Sequence, residues 1–459
     1  MTPLLIPLAT AGLALGLLLG LQQIGTLVGR LLPVHRWGIP EALLAGALGL
    51  LVAPAGALPL IPPAVIGLWD QLPLILLTLV FGTLLIGKPL PQLAGLWRPL
   101  SAQMLLALTL AFGQYLVAGL AVMLVLQPLL GVSPVMACLI EVAYEGGHGS
   151  AAAMGPTYER LGVEGATALG LAMATVGLLS STLVGGVVVV LARRLGWLAT
   201  AELGNADLDN AKQGQGNGPA GGAAVAVKGP ELPRQPAVWA VNLALAGLAV
   251  AIGWLLLAAL QLLAARTGGG LAMVVDVLPV FPLALIGSLL VRLVLERSGR
   301  AALASAPVQS RISTLSADLL IVAATACLDL SLLASSWLPL TVLALAGLAW
   351  NLAVVLVLGR RILPSPWFER TILEFGQATG VAASGLLLLT MADPHDRSDA
   401  LTPFSIKQLL LQPLLAGGVI TVVAPLALDR WGLTAWSGVC LALVLLWSSL
   451  GLVLARRAT

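Results

Sequence analysis

Tyr144-Glu145-Gly146-Gly147-His148-Gly149-Ser150 sets three glycines and two ionisable groups inside an otherwise oily stretch of chain. A glycine weakens a helix interior by about 1 kcal/mol relative to alanine, and Glu145 and His148 would be costly in hydrocarbon. Backbone that cannot stay helical cannot face lipid, so this stretch must be enclosed by protein or line a water-filled cavity. The reading that meets both demands is the tip of a re-entrant hairpin over about 133–158. Glu374-Phe375-Gly376-Gln377-Ala378-Thr379-Gly380 interrupts a second apolar segment, 366–392, at the corresponding place in the other half of the chain. Two interrupted segments in matching positions point to a binding site built between internal repeats.

The surrounding composition gives these interruptions their meaning. Hydrophobic residues make up 59% of the 459 and charged residues 9%, against roughly 45–50% and 25% in soluble domains. The chain therefore reads as an all-α polytopic membrane protein. Its net charge of +3 is spread over short loops, which excludes a nucleic-acid footprint. Cys138, Cys327 and Cys440 lie in apolar segments with no CxxC spacing, so they are expected to be small core residues. The first apolar run, 3–29, is longer than a signal-peptide core and lacks a basic region before it, which predicts a retained first helix.

A crossing needs about 20 residues. Apolar segments between charged or proline-rich breaks are 3–29, 40–54, 66–87, 101–127, the interrupted 133–158 and 165–192, then 237–264, 273–295, 312–333, 337–358, the interrupted 366–392 and 404–427, and finally 433–455. This divides the chain into a first repeat (1–196), a hydrophilic cytoplasmic linker (197–235), a second repeat (236–430) and an extra C-terminal helix (431–459). The linker is predicted from its Gly, Asn, Asp and Pro content. Orientation follows from lysine and arginine, which favour the cytoplasmic side. Arg30, Arg36, Lys88, Arg98, Arg193, Arg194, Arg297, Arg300, Arg311, Arg360, Arg361, Arg370, Arg456 and Arg457 fall on one side if both interrupted segments enter and leave by the same face; Arg160, Arg266 and Arg430 are the exceptions. Each half then crosses about five times, the second inverted relative to the first, an arrangement suited to alternating access.

The residues also carry a resemblance. Trp37-Gly38-Ile39-Pro40-Glu41, then Glu145-Gly146-Gly147-His148-Gly149-Ser150-Ala151-Ala152 with Tyr158-Glu159-Arg160-Leu161-Gly162, then Ala172-Met173-Ala174-Thr175-Val176-Gly177-Leu178, resemble the bacterial sodium/glutamate symporter family from about residue 5 to residue 425. The resemblance implies a multi-pass protein of the bacterial inner membrane and sodium-coupled uptake of L-glutamate. It also implies two inverted repeats whose re-entrant hairpins build the site, and a homodimer. Sodium is the coupling ion and no cofactor is implied. Two departures stand out: Glu145 replaces the serine that precedes Gly-Gly-His-Gly in glutamate carriers, and the second hairpin lacks their Gly-Phe-Gly-Leu-Gly-Ala-Thr-Pro pattern.

Sodium wants oxygen ligands, and helix N-termini favour an anionic substrate. The substrate and ion site is therefore expected at Glu145, Gly146, Gly147, His148, Gly149 and Ser150 of the first tip and at Gly376, Gln377, Thr379, Gly380 and Ser384 of the second, with Asp318 as an intramembrane acid. Candidate sodium ligands are Glu145, Ser150 and Thr379. The alternative is that the glycines only permit close helix packing. Glu145 is expected to ligate a cation, carry a proton, or pair with His148 or Arg160. Glu374 is expected to be a solvated acid near the cytoplasmic face and Lys407 to snorkel to the interface.

Other classes fit less well. HExxH is absent and His35, His148 and His395 are dispersed, against a zinc hydrolase. Ser384 lacks a convincing base, a pore would need rings of like polar groups, and there is no Walker A lysine for an ATP motor. A secondary transporter, not an enzyme, remains. Its partners are expected to be an anionic amino acid, sodium and membrane lipid. The alternative within this class is sodium- or proton-coupled transport of another organic anion or amino acid.

Overall fold

In the computed structural model every described element is helical, and the chain is a polytopic α-helical membrane protein. The structure describes all residues except 1, 32–40, 55, 57, 88–95, 199–231, 234, 268–274, 276–277, 329–333, 394–397, 413 and 457–459. The Trp37–Pro40 part of the first motif, most of the linker, His395 and the second acid of segment 312–333, Asp329, lie outside the described residues.

The first half runs α1 (Thr2–Leu31), α2 (Glu41–Val52), α3 (Pro63–Trp69) and α4 (Leu72–Thr83), then α5 (Trp97–Ala121). A π-turn, Val122–Leu126, and Gln127–Leu130 carry α5 on until Gly131 stops it in the left-handed region, with φ 66°. Next, Ser133 caps a 3₁₀ turn, Pro134–Cys138, by accepting the Val135 N–H at 3.4 Å. From that turn follow α6 (Leu139–Tyr144), α7 (Gly147–Arg160) and α8 (Ala166–Arg194).

The second half runs α9 (Pro236–Thr267), α10 (Phe281–Arg297), α11 (Ala306–Ala326) and α12 (Trp337–Ala353). Like α5, α12 ends in a π-turn, Val354–Gly359. It is followed by a broken pair, α13 (Trp367–Thr379) and α14 (Ala382–Ala392), and by α15 (Leu401–Leu411) and α16 (Val419–Trp431). The segment expected as one helix over 404–427 is therefore two, since Ala416 at φ 53° and Gly417 at φ 91° cannot continue a right-handed helix. Last comes α17 (Leu433–Arg456), the helix expected as an extra C-terminal one.

Seven spans among the described residues are long and apolar enough to cross a membrane: Thr10–Leu31, Pro63–Thr83, Trp97–Leu130, Ala166–Arg194, Pro236–Thr267, Trp337–Ile362 and Leu433–Arg456. Of these, Trp97–Leu130, which contains α5, is the most enclosed by protein. The extra helix α17 covers it. Gly119 of α5 abuts Ser437, and the Tyr115 and Trp436 rings meet edge-to-face with centroids 5.6 Å apart. The principal core gathers Tyr115, Tyr144, Met154, Met173, Phe281 and Leu343 around the broken segments. Cys138 and Cys440 are buried there and none of the three cysteines is in a disulfide.

Candidate functional site

The broken segments form close pairs and then meet each other. In the first, Ser133 Oγ lies 4.0 Å from where a Cβ on Gly162 would sit, so the segment begins and ends in one neighbourhood. In the second, Gly376 is packed directly onto Gly385 backbone, across the break at Gly380 and Val381. The breaks touch. Gly147 has φ 67°, and a Cβ there would lie 2.7 Å from Val381 Cγ1. Glycine is required on both counts, for the left-handed backbone and for the approach. Gln377 Nε2 donates to the Glu145 carbonyl at 3.5 Å, at the long end of hydrogen bonding. Helix α8 backs both breaks: a Cβ on Gly177 would meet Thr379 O and Tyr144, and Ser181 Oγ donates to Gly376 O at 3.2 Å.

Two helices start at these breaks, α7 at Gly147 and α14 at Ala382, so the positive ends of their dipoles and their free N–H groups converge. Near the first, His148 Nε2 lies 3.0 Å from Thr175 Oγ1, whose hydroxyl donates to Leu171 O at 2.9 Å. A hydroxyl has one proton, so His148 Nε2 carries its own and donates to Thr175. At the second, Asn351 Nδ2 donates to Ala378 O (2.8 Å) and Thr379 Oγ1 (3.0 Å), while Gln114 Nε2 donates to Ala378 O (2.6 Å) and Asn351 Oδ1 (3.2 Å). Helices α5 and α12 thus each send one amide to the C-terminal end of α13.

Glu141 emerges only from the structure. It is fully buried on α6, and its carboxylate accepts from Tyr115 Oη at 2.6 Å, Thr421 Oγ1 at 2.9 Å and the Ala416 N–H at 3.3 Å. It thereby ties the first broken segment to α5 and to the break between α15 and α16. The signal was available: it is an acid in an apolar segment, four residues before Glu145. Ser150 reaches the same break, donating to Ala416 O at 3.3 Å.

Glu374 and Lys407 correct the expectation of solvated groups. Each side chain is 1% exposed, and Lys407 Nζ lies 2.8 Å from Glu374 Oε2 and 4.6 Å from the Phe404 ring centroid. Burial among α5, α13 and α15 replaces the interface because the segment 366–392 is enclosed along its whole first arm. Glu145 is paired with neither His148 nor Arg160; its Oε2 is buried without a hydrogen-bond partner, as are Gln377 Oε1 and Gln114 Oε1. Buried acceptors left open in this way are costly unless something donates to or coordinates them.

The remaining expected residues divide. Gly149 packs on Leu77 and Leu320, and Gly380 and Ser384 face each other beside Ser181. Asp318 is half-buried on α11 and hydrogen-bonds to none of these groups among the described residues. Arg292, the one buried arginine of α10, is bound to Glu296 at 2.8 Å. No three His, Cys, Asp or Glu among the described residues cluster as metal ligands. A cavity of about 270 Å³ lined by Asp70, Glu159 and Thr167 runs in to Ala152 and Leu171, one turn of α8 before Thr175.

Residues 8–216 match the family model described as sodium/glutamate symporter. That stretch holds the first break and ends before the second. No curated protein and no solved structure matches the chain.

Proposed function

We propose, from the match of residues 8–216 to the sodium/glutamate symporter family model, that the chain carries L-glutamate inward with sodium by alternating access. The observation that carries this reading is the contact of the two breaks at Gly147 and Val381, which brings two helix N-termini and several open oxygens to one place. The recurrence of element order, with matching π-turns in α5 and α12, supports two inverted repeats. The nearness of Ser133 to Gly162, and of Gly376 to Gly385, supports the re-entrant hairpins expected over 133–158 and 366–392. The setting would be the bacterial inner membrane, the assembly a homodimer, and the linker 197–235 cytoplasmic.

In this reading the N-termini of α7 and α14 receive the substrate's carboxylates, and His148, anchored on Thr175, orders the first turn of α7. Sodium is cargo: it takes oxygens from Glu145, Ser150 and Thr379, with Gln377 Oε1 beside them. Coupling follows from charge. Glu141, Glu145 and Glu374 are buried near Lys407, and any of these carboxyl groups that is ionised repels an anionic substrate until a cation binds beside it. Filling the cation site first makes the substrate site attractive, a positive coupling between the two ligands. Motion of one hairpin against the other would then expose the filled site to the opposite face.

The test is uptake of radiolabelled L-glutamate by proteoliposomes under an inward sodium gradient, and with choline in place of sodium. Sodium-dependent accumulation is expected; folded protein that accumulates none refutes glutamate as substrate. The surplus of buried carboxylates favours one second reading, a proton-coupled carrier of another organic anion or amino acid. In that case a pH gradient drives uptake without sodium, and Glu145→Gln abolishes the coupling while substrate still binds.

A further inference from the structure

Arg160 is a basic residue that the orientation by charge leaves on the outer side, and nothing in the transport reading employs it. It lies in the last turn of α7. Its guanidinium donates to Pro156 O at 3.2 Å and to Thr157 Oγ1 at 3.4 Å, both neutral acceptors. Among the described residues no carboxylate lies within ion-pairing distance of it. A guanidinium at a membrane boundary without a counter-ion calls for an anion, and its planar fork suits phosphate in particular.

Beside it opens a groove of about 380 Å³ between α4, α7 and α9, closed at the back by Leu278, Pro279 and Val280. Arg160, Thr157, Gln261 and Thr78 carry its polar side chains, the Thr78 hydroxyl being spent on Leu74 O; Ile75, Trp254 and Leu257 represent the apolar wall. Along α9 the groove extends from Val250 to Gln261, which at 1.5 Å per residue is about 16 Å. One leaflet of a hydrocarbon core is about 15 Å deep. Ile75 and Trp254 are 60% and 59% exposed, so the groove opens sideways toward lipid rather than into the protein. A cation on the wall of a largely apolar trough one leaflet long matches a phospholipid, with the phosphate at Arg160 and an acyl chain along α9.

We infer that this groove holds an anionic phospholipid of the outer leaflet, bound between hairpin helix α7 and the wall formed by α4 and α9. The lipid joins a segment that carries half of the proposed site to helices that do not. Its occupancy therefore bears on how freely α7 moves. This assignment goes beyond the transport reading and stands without it.

The full-length protein, delipidated in detergent and offered equimolar dioleoyl phosphatidylglycerol and dioleoyl phosphatidylcholine, tests it by native mass spectrometry. One phosphatidylglycerol is expected to be retained in preference to phosphatidylcholine. Arg160→Gln should reduce that retention about tenfold or more, the scale of a lost charge-assisted hydrogen bond, and Arg160→Lys should keep most of it. Ile75→Trp, which fills the groove at an exposed position and leaves Arg160 in place, should also displace the lipid and decides the matter if Arg160→Gln does not fold. Equal retention of both lipids, or undiminished phosphatidylglycerol on Ile75→Trp, overturns the inference. Displacement by free glycerol phosphate overturns it too, because the headgroup alone would then be the ligand.

Discussion

Removing Lys407 strands a carboxylate. Glu374 and Lys407 are each 1% exposed and 2.8 Å apart, so Lys407→Met leaves Glu374 buried without its cation. Breaking such a pair from one side destabilises by about 3–5 kcal/mol, whereas replacing both charges by neutral groups of similar size is often neutral or stabilising. Glu374→Gln should therefore melt earlier than the parent protein, as should Lys407→Met. The double variant Glu374→Gln/Lys407→Met should recover most of the loss, giving a coupling energy of several kcal/mol in the double-mutant cycle. Thermal unfolding of the four proteins in one detergent, followed by tryptophan fluorescence, measures the order. A Lys407→Met protein that melts with the parent, or a double variant as unstable as the sum of the singles, would refute the buried ion pair. Uptake separates stability from function: if the double variant is stable yet silent, Lys407 also serves the transport cycle.

Gly147→Ala should cut uptake sharply, because the left-handed backbone disfavours a Cβ by about 1 kcal/mol and that Cβ would stand 2.7 Å from Val381 Cγ1. Adding Val381→Ala removes the collision and should restore part of the rate; no restoration would argue that the two breaks do not touch during transport. Tyr115→Phe deletes the 2.6 Å hydrogen bond to Glu141, a loss of about 1.5–3 kcal/mol for a charged acceptor, visible as a lower melting temperature. Asn351→Ala releases Thr379 Oγ1 and Ala378 O and should raise the sodium concentration for half-maximal uptake several-fold; an unchanged sodium dependence would remove Thr379 from the ligand set.

What the sequence determined by itself was the class of protein and the location of its two irregular places. Apolar runs of spanning length have one use, since a backbone in lipid must satisfy its own hydrogen bonds. Glycines and charges cannot interrupt such runs without an enclosing reason, so Gly146–Ser150 and Gly376–Gly380 declared themselves. The family motif was legible in the same residues, and the match over 8–216 agrees with it. Partners were not legible. Glu374 and Lys407 are 33 residues apart and Gln114 and Asn351 are 237 apart, and no local pattern records that they touch. Glu141 stands in an apolar run four residues before Glu145, but its role shows only once Tyr115, Thr421 and Ala416 converge on it. The break between α15 and α16 is not legible in the sequence, because Gly417 and Gly418 lie in a run that reads as one apolar helix. Side-chain chemistry is local and can be read in order. Which oxygen is answered by which donor, and which is left open for an ion, depends on how the helices cross, and only the tertiary structure decides that.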